Sequence, residues 1–167
     1  MSDDPLAGVA LRPIGDDDLP FLARLYASTR AEEVARTPWS DDEKAAFLQW
    51  QFEAQHAHYQ EHYPTCSFDL VERRGEPVGR FYVDRWEKEI RLVDIALLPE
   101  ARGGGLGGAL IRRLLAEGRE TCKPVSIHVE YDNPALSLYR RLGFRHVDSN
   151  GVYNLMRWEP GEGDEPG

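Results

Sequence analysis

Cysteine occurs only twice, at Cys66 and Cys122. Two thiols that far apart build neither a disulfide framework nor a metal-binding pair, and both read as reduced thiols with little role. No apolar run approaches the ~20 residues that span a bilayer. The opening MSDDPLAG is acidic where a secretory leader is basic. A soluble, cytoplasmic protein with no membrane partner is the expectation. An excess of positive charge is missing too: the chain carries −9 at neutral pH, which argues against nucleic acid as a partner. Internal repeats and a second domain are absent from the pattern. The 167 residues suit one domain with a real core, expected over residues 8–159 between a flexible segment at 1–7 and a disordered tail at 160–167.

The charge that is present is unevenly placed. Between Arg102 and Arg145 eight Arg/Lys stand against four Asp/Glu, a locally cationic stretch in an anionic chain. An anionic ligand there, and a cationic one elsewhere, is the simplest electrostatic reading. Around that stretch the pattern alternates between types. A short extended run at residues 9–13 precedes a helix opened by Asp16, Asp17 and Asp18, with Phe21, Leu22, Leu25 and Tyr26 on one face. A second helix starts at Ser40, with Glu43 as its capping-box partner. Residues 68–98 read as three strands with antiparallel neighbours, broken first at Gly75-Glu76-Pro77. Leu106, Leu110, Leu114 and Leu115 mark a helix, PVSIHVEY a strand, NPALSLYRRLGF a helix stopped at Gly143, and GVYNLMRW a last strand.

Five glycines crowd the six positions 103–108, within PEARGGGLGGALIRRLLAEG, directly ahead of a helix. A helix N-terminus presents N–H groups without intrahelical partners and the positive end of the helix dipole. Glycine there lets the backbone approach an anion closely. Three readings fit. One is a plain turn between strand and helix. A second is a dinucleotide fold, since Gly103, Gly105 and Gly108 spell G-x-G-x-x-G and Glu130 lies 22 residues beyond, where a ribose-binding acid can fall. Against it stand the two preceding helices, the antiparallel meander and the little chain left for further βαβ units. No G-K-[ST] follows, which excludes a P-loop nucleotidase. The third reading takes in Arg102: RGGGLG fits [QR]-x-x-G-x-[GA] after an apolar strand.

That segment resembles the first signature of the GNAT superfamily of acyl-CoA-dependent N-acyltransferases. NPALSLYRRLGF resembles the second, A-x-x-L-Y-x-x-x-G-F, met by Ala135, Leu138, Tyr139, Gly143 and Phe144. The order of elements from Val9 to Trp158 is similar to the family's over nearly the whole chain. The resemblance implies an α/β (α+β) fold: a central mixed, mostly antiparallel sheet, splayed between strands at residues 90–98 and 124–131 and flanked by about four helices. It implies acetyl-CoA in the split as acyl donor, and no metal. Backbone groups of Ile95, Ala96 and Leu97 would pair with the pantetheine arm. Arg102 and the N–H groups of Gly103, Gly104, Gly105, Leu106, Gly107 and Gly108 would hold the pyrophosphate. The family's asparagine three residues before the alanine is Asp132 here, so Asn133 is the candidate to replace its coenzyme contact.

Acyl transfer to an amine needs a neutral nucleophile and a proton for the departing thiolate. An alkylamine of pKa ~10.4 is mostly protonated at neutral pH, so a base is needed. Tyr139, which matches the tyrosine of the second signature, is the candidate general acid, because a phenol neutral at pH 7 can donate to a thiolate. Its spacing also suits packing with Ala135, Leu138 and Leu142. Asp94, beside the pantetheine segment where many family members carry an acid, is the first candidate base. His128, on the polar face of the next strand with Glu130, is the second. A solvated face, or a salt bridge from Asp94 to Arg91, is the ordinary alternative.

In the resembled fold the first two helices wall the acceptor pocket, which makes Glu33, Trp39, Trp50 and Tyr59 candidate acceptor contacts; core packing accounts for the aromatics equally well. HYQEH, residues 58–62, matches a zinc-peptidase pattern, but no segment supplies a further ligand. The expected function is transfer of an acetyl group from acetyl-CoA to a primary amine, small molecule or peptide, directly within a ternary complex, by a monomer or homodimer. The alternative is a non-catalytic acyl-CoA sensor or partner-docking module.

Overall fold

The computed structural model describes residues 4–161. Its elements run β1 (Val9–Pro13), α1 (Leu19–Ala35), α2 (Asp41–His62), β2 (Ser67–Arg73), β3 (Glu76–Arg85), β4 (Ile90–Leu97), α3 (Leu106–Thr121), β5 (Val125–Glu130), α4 (Leu136–Arg141), β6 (Arg145–Asn150) and β7 (Tyr153–Trp158). The strands form one sheet in the order β1-β2-β3-β4-β5-β7-β6. Every neighbouring pair is antiparallel except β4 and β5. This is the mixed, mostly antiparallel sheet with four helices that the sequence leads one to expect.

Local chemistry accounts for the helix boundaries. Ser40 Oγ accepts from the Glu43 N–H at 3.2 Å while the Glu43 carboxylate accepts from the Ser40 N–H at 3.0 Å, the reciprocal capping box that starts α2. In α3, Leu106, Leu110, Ile111, Leu114, Leu115 and Gly118 are buried on one face, against Val125, Ile127, Met156 and Trp158 in the larger core. A smaller core on the other side of the sheet joins Phe21, Leu22, Leu25 and Tyr26 of α1 to Phe52 of α2 and Leu70 of β2.

Pairing between β4 and β5 is confined to Ile90–Val125, Arg91–Ser126 and Leu92–Ile127. At the next position β4 bulges: Leu92 opposes Val83 and Asp94 opposes Tyr82, leaving Val93 as the extra residue. The bulge moves the strand's alternation by one. Ile90 and Leu92, then Ile95 and Leu97, face the α3 core, whereas Ala96 joins the α1/α2 side and Asp94, two residues before it, shares that face. Beyond Leu92 the two strands part, and this is the splay. Below it they are tied by Glu89, whose Oε2 accepts from Ser126 Oγ at 2.6 Å. Arg91 Nε donates to the same Ser126 oxygen at 2.8 Å, and its guanidinium lies over Trp86 at 4.9 Å.

Of the segment expected to be flexible, residues 1–3 lie outside the described residues, and residues 4–7 form a turn: Ala7 N–H donates to Asp4 O at 3.0 Å, Leu6 packs on the larger core, and Pro5 lies against Gly105. An apolar Leu6 able to reach the core, with Asp4 accepting from its N–H at 2.9 Å, fixes the turn. The part of the expected tail at residues 162–167 lies outside the described residues. The residue pattern does not announce β6, since all six of its residues are exposed; the ladder to β7 and the Ser149–Asn154 side-chain hydrogen bond hold it. Among the described residues no helix is long and apolar enough to cross a membrane.

Gly118 lets α3 lie directly on the sheet: a Cβ there would meet Lys123 O at 2.8 Å and Trp158 Cζ3 at 2.9 Å. Gly118→Ala is therefore expected to destabilise the fold by about 1–3 kcal/mol, the usual cost of overpacking, despite alanine's better helix propensity. Urea unfolding followed by circular dichroism checks it; a stabilised variant would contradict this packing.

Candidate active site

The glycine segment follows β4 through a 3-10 turn at Pro99–Ala101. Gly103 and Gly105 both have φ of +83°, the left-handed region closed to most side chains, and Gly105 is the residue that precedes the first turn of α3. The first bond onto this end of the helix is Ala109 N–H to Gly105 O at 3.0 Å. Among the described residues, no oxygen accepts from the N–H groups of residues 103–108. A Cβ built on Gly103 or Gly104 meets nothing within 4 Å. Six free donors on an open concave backbone at a helix N-terminus suit a diphosphate. Arg102 Nε donates to Leu97 O at 2.9 Å, tying the loop to the end of β4. Asn133 Oδ1 accepts from Ala135 N–H at 2.8 Å, so its oxygen is spent on starting α4.

The splay presents Ile95, Ala96 and Leu97 along an edge of β4 that β5 leaves unpaired. Tyr139 of α4 is buried, its ring edge-on to Phe144 at 5.7 Å. Burial, with the charge of Asp94 adding to it, pushes the Tyr139 phenol well above its ordinary value. The hydroxyl therefore stays protonated.

Asp94 pairs with Arg80 of β3, not with Arg91. The bulge at Val93 is the reason, because it brings Asp94 opposite Tyr82 and diagonal to Arg80 on the same face. Arg80 is almost fully buried, donates from Nη2 to Gln55 Oε1 of α2 at 2.9 Å and lies 5.2 Å from the Tyr82 ring. Tyr59 of α2 stands edge-on to Tyr82 at 5.9 Å. Arg80, Tyr82 and Gln55 were not singled out by residue pattern. The available signal is the phase change in the apolar alternation along β4, apolar at 90 and 92 and again at 95 and 97.

His128 is exposed, and Arg91 Nη1 donates to its Nδ1 at 3.2 Å. Partial burial and then the Arg91 charge lower the imidazole pKa, so the ring is neutral at pH 7. Because Arg91 is only a donor, the proton of that neutral ring sits on Nε2 and the lone pair on Nδ1 is already engaged. Glu130, on the same face, lies 3.5 Å from Arg30 of α1, which also pairs with Glu33 at 3.1 Å.

The four expected acceptor contacts are not brought together. Tyr59 faces the sheet beside Tyr82, and Glu33 lies at the Arg30 pair. Trp39 and Trp50 flank Phe47, at 4.9 and 6.3 Å, and Trp50 is 64% exposed. Nine helical residues separate Trp50 from Tyr59, about half a turn in net rotation, so the two occupy opposite sides of α2. Among the described residues no group of three or more His, Cys, Asp or Glu is arranged to hold a metal.

Residues 22–144 match the profile of the Acetyltransferase (GNAT) family. A mycothiol acetyltransferase of Saccharomonospora viridis is 39% identical over 84 residues, 47% of this chain and 23% of that protein. A GCN5-like protein acetyltransferase of Mycobacterium tuberculosis is 48% identical over 83 residues, 46% of this chain and 38% of that one. The chain thus spans well under half the length of either relative. In fold it is similar to the PaiA N-acetyltransferase of Thermoplasma acidophilum, solved in complex with coenzyme A, with a TM-score of 0.67 at 15% identity over 90% of this chain and 98% of that one. With the two signatures on α3 and α4, the splayed sheet and the family profile over most of its length, the chain belongs to the GNAT acetyltransferase family.

Proposed function

We propose that this protein transfers an acetyl group from acetyl-CoA directly to a primary amine, with both substrates bound in the splay. The observation that carries the reading is the opening of the sheet beyond Leu92, with unpartnered donors at residues 103–108 on one end. The N–H groups of residues 103–108 hold the pyrophosphate, and the free edge of β4 at Ile95 and Ala96 pairs with the pantetheine arm as a further strand would. The amine enters from the α1/α2 side, where Asp94 lies. Its nitrogen forms a bond to the thioester carbon as the carbon–sulfur bond breaks. Asp94, directly or through water, receives the amine's proton, and the Tyr139 hydroxyl donates one to the departing sulfur.

A second reading, a binding module without turnover, draws on the fact that both candidate bases have partners: Asp94 is paired with Arg80 and His128 accepts from Arg91. A panel of diverse amines with thiol detection separates the two. Sustained release of free CoA with at least one amine supports transfer, whereas acetyl-CoA binding without release across the panel supports the module.

Two expected outcomes test the parts separately. Tyr139→Phe should lower kcat by about 100-fold, in the range for loss of a general acid, while calorimetry gives an acetyl-CoA Kd within about twofold of the parent; an unchanged kcat removes Tyr139 from the chemistry. Gly104→Val should leave the melting temperature unchanged, because among the described residues nothing lies within 4 Å of an added Cβ, yet weaken CoA binding at least about tenfold by filling the cradle. Undiminished affinity in that variant would place the diphosphate elsewhere.

A further inference from the structure

The polar cluster at the centre of the α1/α2 face is an investment the fold does not need for packing. Arg80 is a charged side chain almost wholly withdrawn from water, in the middle of a strand whose neighbouring residues are buried. A buried ion pair of this kind rarely stabilises a protein relative to apolar residues of the same size, so its geometry calls for another use. One guanidinium nitrogen, Nη2, donates to Gln55 Oε1 of α2 and meets Asp94 Oδ2 of β4. Tyr82 and Tyr59 close around the pair. Asp94 Oδ2 is sealed from solvent, yet the side chain as a whole retains 23% of its exposure. Oδ1 is the carboxylate oxygen that Arg80 leaves unengaged.

From this we infer that Arg80 is a positioning residue for the acetyl-transfer site: by holding Oδ2 it turns Asp94 Oδ1 into the splay, and through Gln55 it ties that carboxylate to the helix that walls the acceptor side. The inference rests on the proposed role of Asp94 as proton acceptor. Two devices converge on one carboxylate oxygen. The bulge at Val93 brings Asp94 onto the α1/α2 face, and Arg80 then fixes its rotation there. An arginine suits the task because one planar group reaches two acceptors on different elements at once, which a lysine ammonium does with less directional control.

The test compares wild type, Arg80→Met, Arg80→Lys, Asp94→Asn and the double variant Arg80→Met with Asp94→Asn. Arg80→Met should lower kcat for the best amine at least about tenfold, with the acetyl-CoA KM and Kd unchanged within about twofold. Arg80→Lys should recover part of that loss. In the Asp94→Asn background, removing Arg80 should cost nothing further in kcat, since the two act as a unit. A well-folded Arg80→Met protein that keeps its kcat, or one whose loss repeats in full on top of Asp94→Asn, overturns the inference. Thermal unfolding supplies a readout that needs no turnover. Asp94→Asn leaves Arg80 buried without a counter-charge, so the double variant should melt above Asp94→Asn alone. If wild type releases no CoA with any amine, the transfer reading fails by itself, and strictly additive melting shifts would then separately dismiss the Arg80–Asp94 coupling.

Discussion

Three residue pairs join β4 to β5, and the fourth is never made. Everything distinctive about this protein follows from that interruption. Backbone donors and acceptors inside a sheet are ordinarily paired, because leaving them bare costs free energy comparable to a lost hydrogen bond. Here the β-bulge at Val93 falls where the ladder to β5 ends, so residues 94–97 stay paired with β3 while the opposite edge stays open. An unpaired edge in the interior of a sheet is a template for an extended ligand. The polar cluster of Glu89, Arg91 and Ser126 confines the opening to one end, since it clamps the two strands where they still run together.

The bulge also decides what faces the opening. Without the extra residue, the alternation begun by Ile90 and Leu92 would carry Asp94 into the apolar side packed on α3. With it, the carboxylate comes to the same face as Arg80, Tyr82 and the helices α1 and α2. A single inserted residue thus sorts the strand between two faces: Ile95 and Leu97 continue the core on α3, while Asp94 and Ala96 face the side of α1 and α2.

Electrostatics works locally in this molecule. The anionic chain as a whole suggests an acidic surface for a cationic acceptor, yet the carboxylates around the cleft have arginine partners: Asp94 with Arg80, and Glu130 and Glu33 with Arg30. At the other end of the splay the favourable field for an anion comes chiefly from free N–H groups and the α3 dipole, which need no charged side chain. Arg102 Nε braces the loop against Leu97 O.

Residues that act through local backbone geometry were legible from the chain alone. The capping box of Ser40 and Glu43, the glycines ahead of α3 and the apolar stripe of that helix each depend on neighbours within a few positions, so their spacing carries their meaning. Strand β6 was not legible, because an edge strand exposed on every residue carries no burial pattern to read. Nor was the partner of Asp94. Which arginine meets a carboxylate, which side of α2 meets the sheet, and whether Trp50 or Tyr59 turns toward the cleft are set by strand register and helix rotation. Those quantities are fixed only when distant segments pack together, since a shift of one residue or half a helical turn exchanges one face for the other without changing a single local preference.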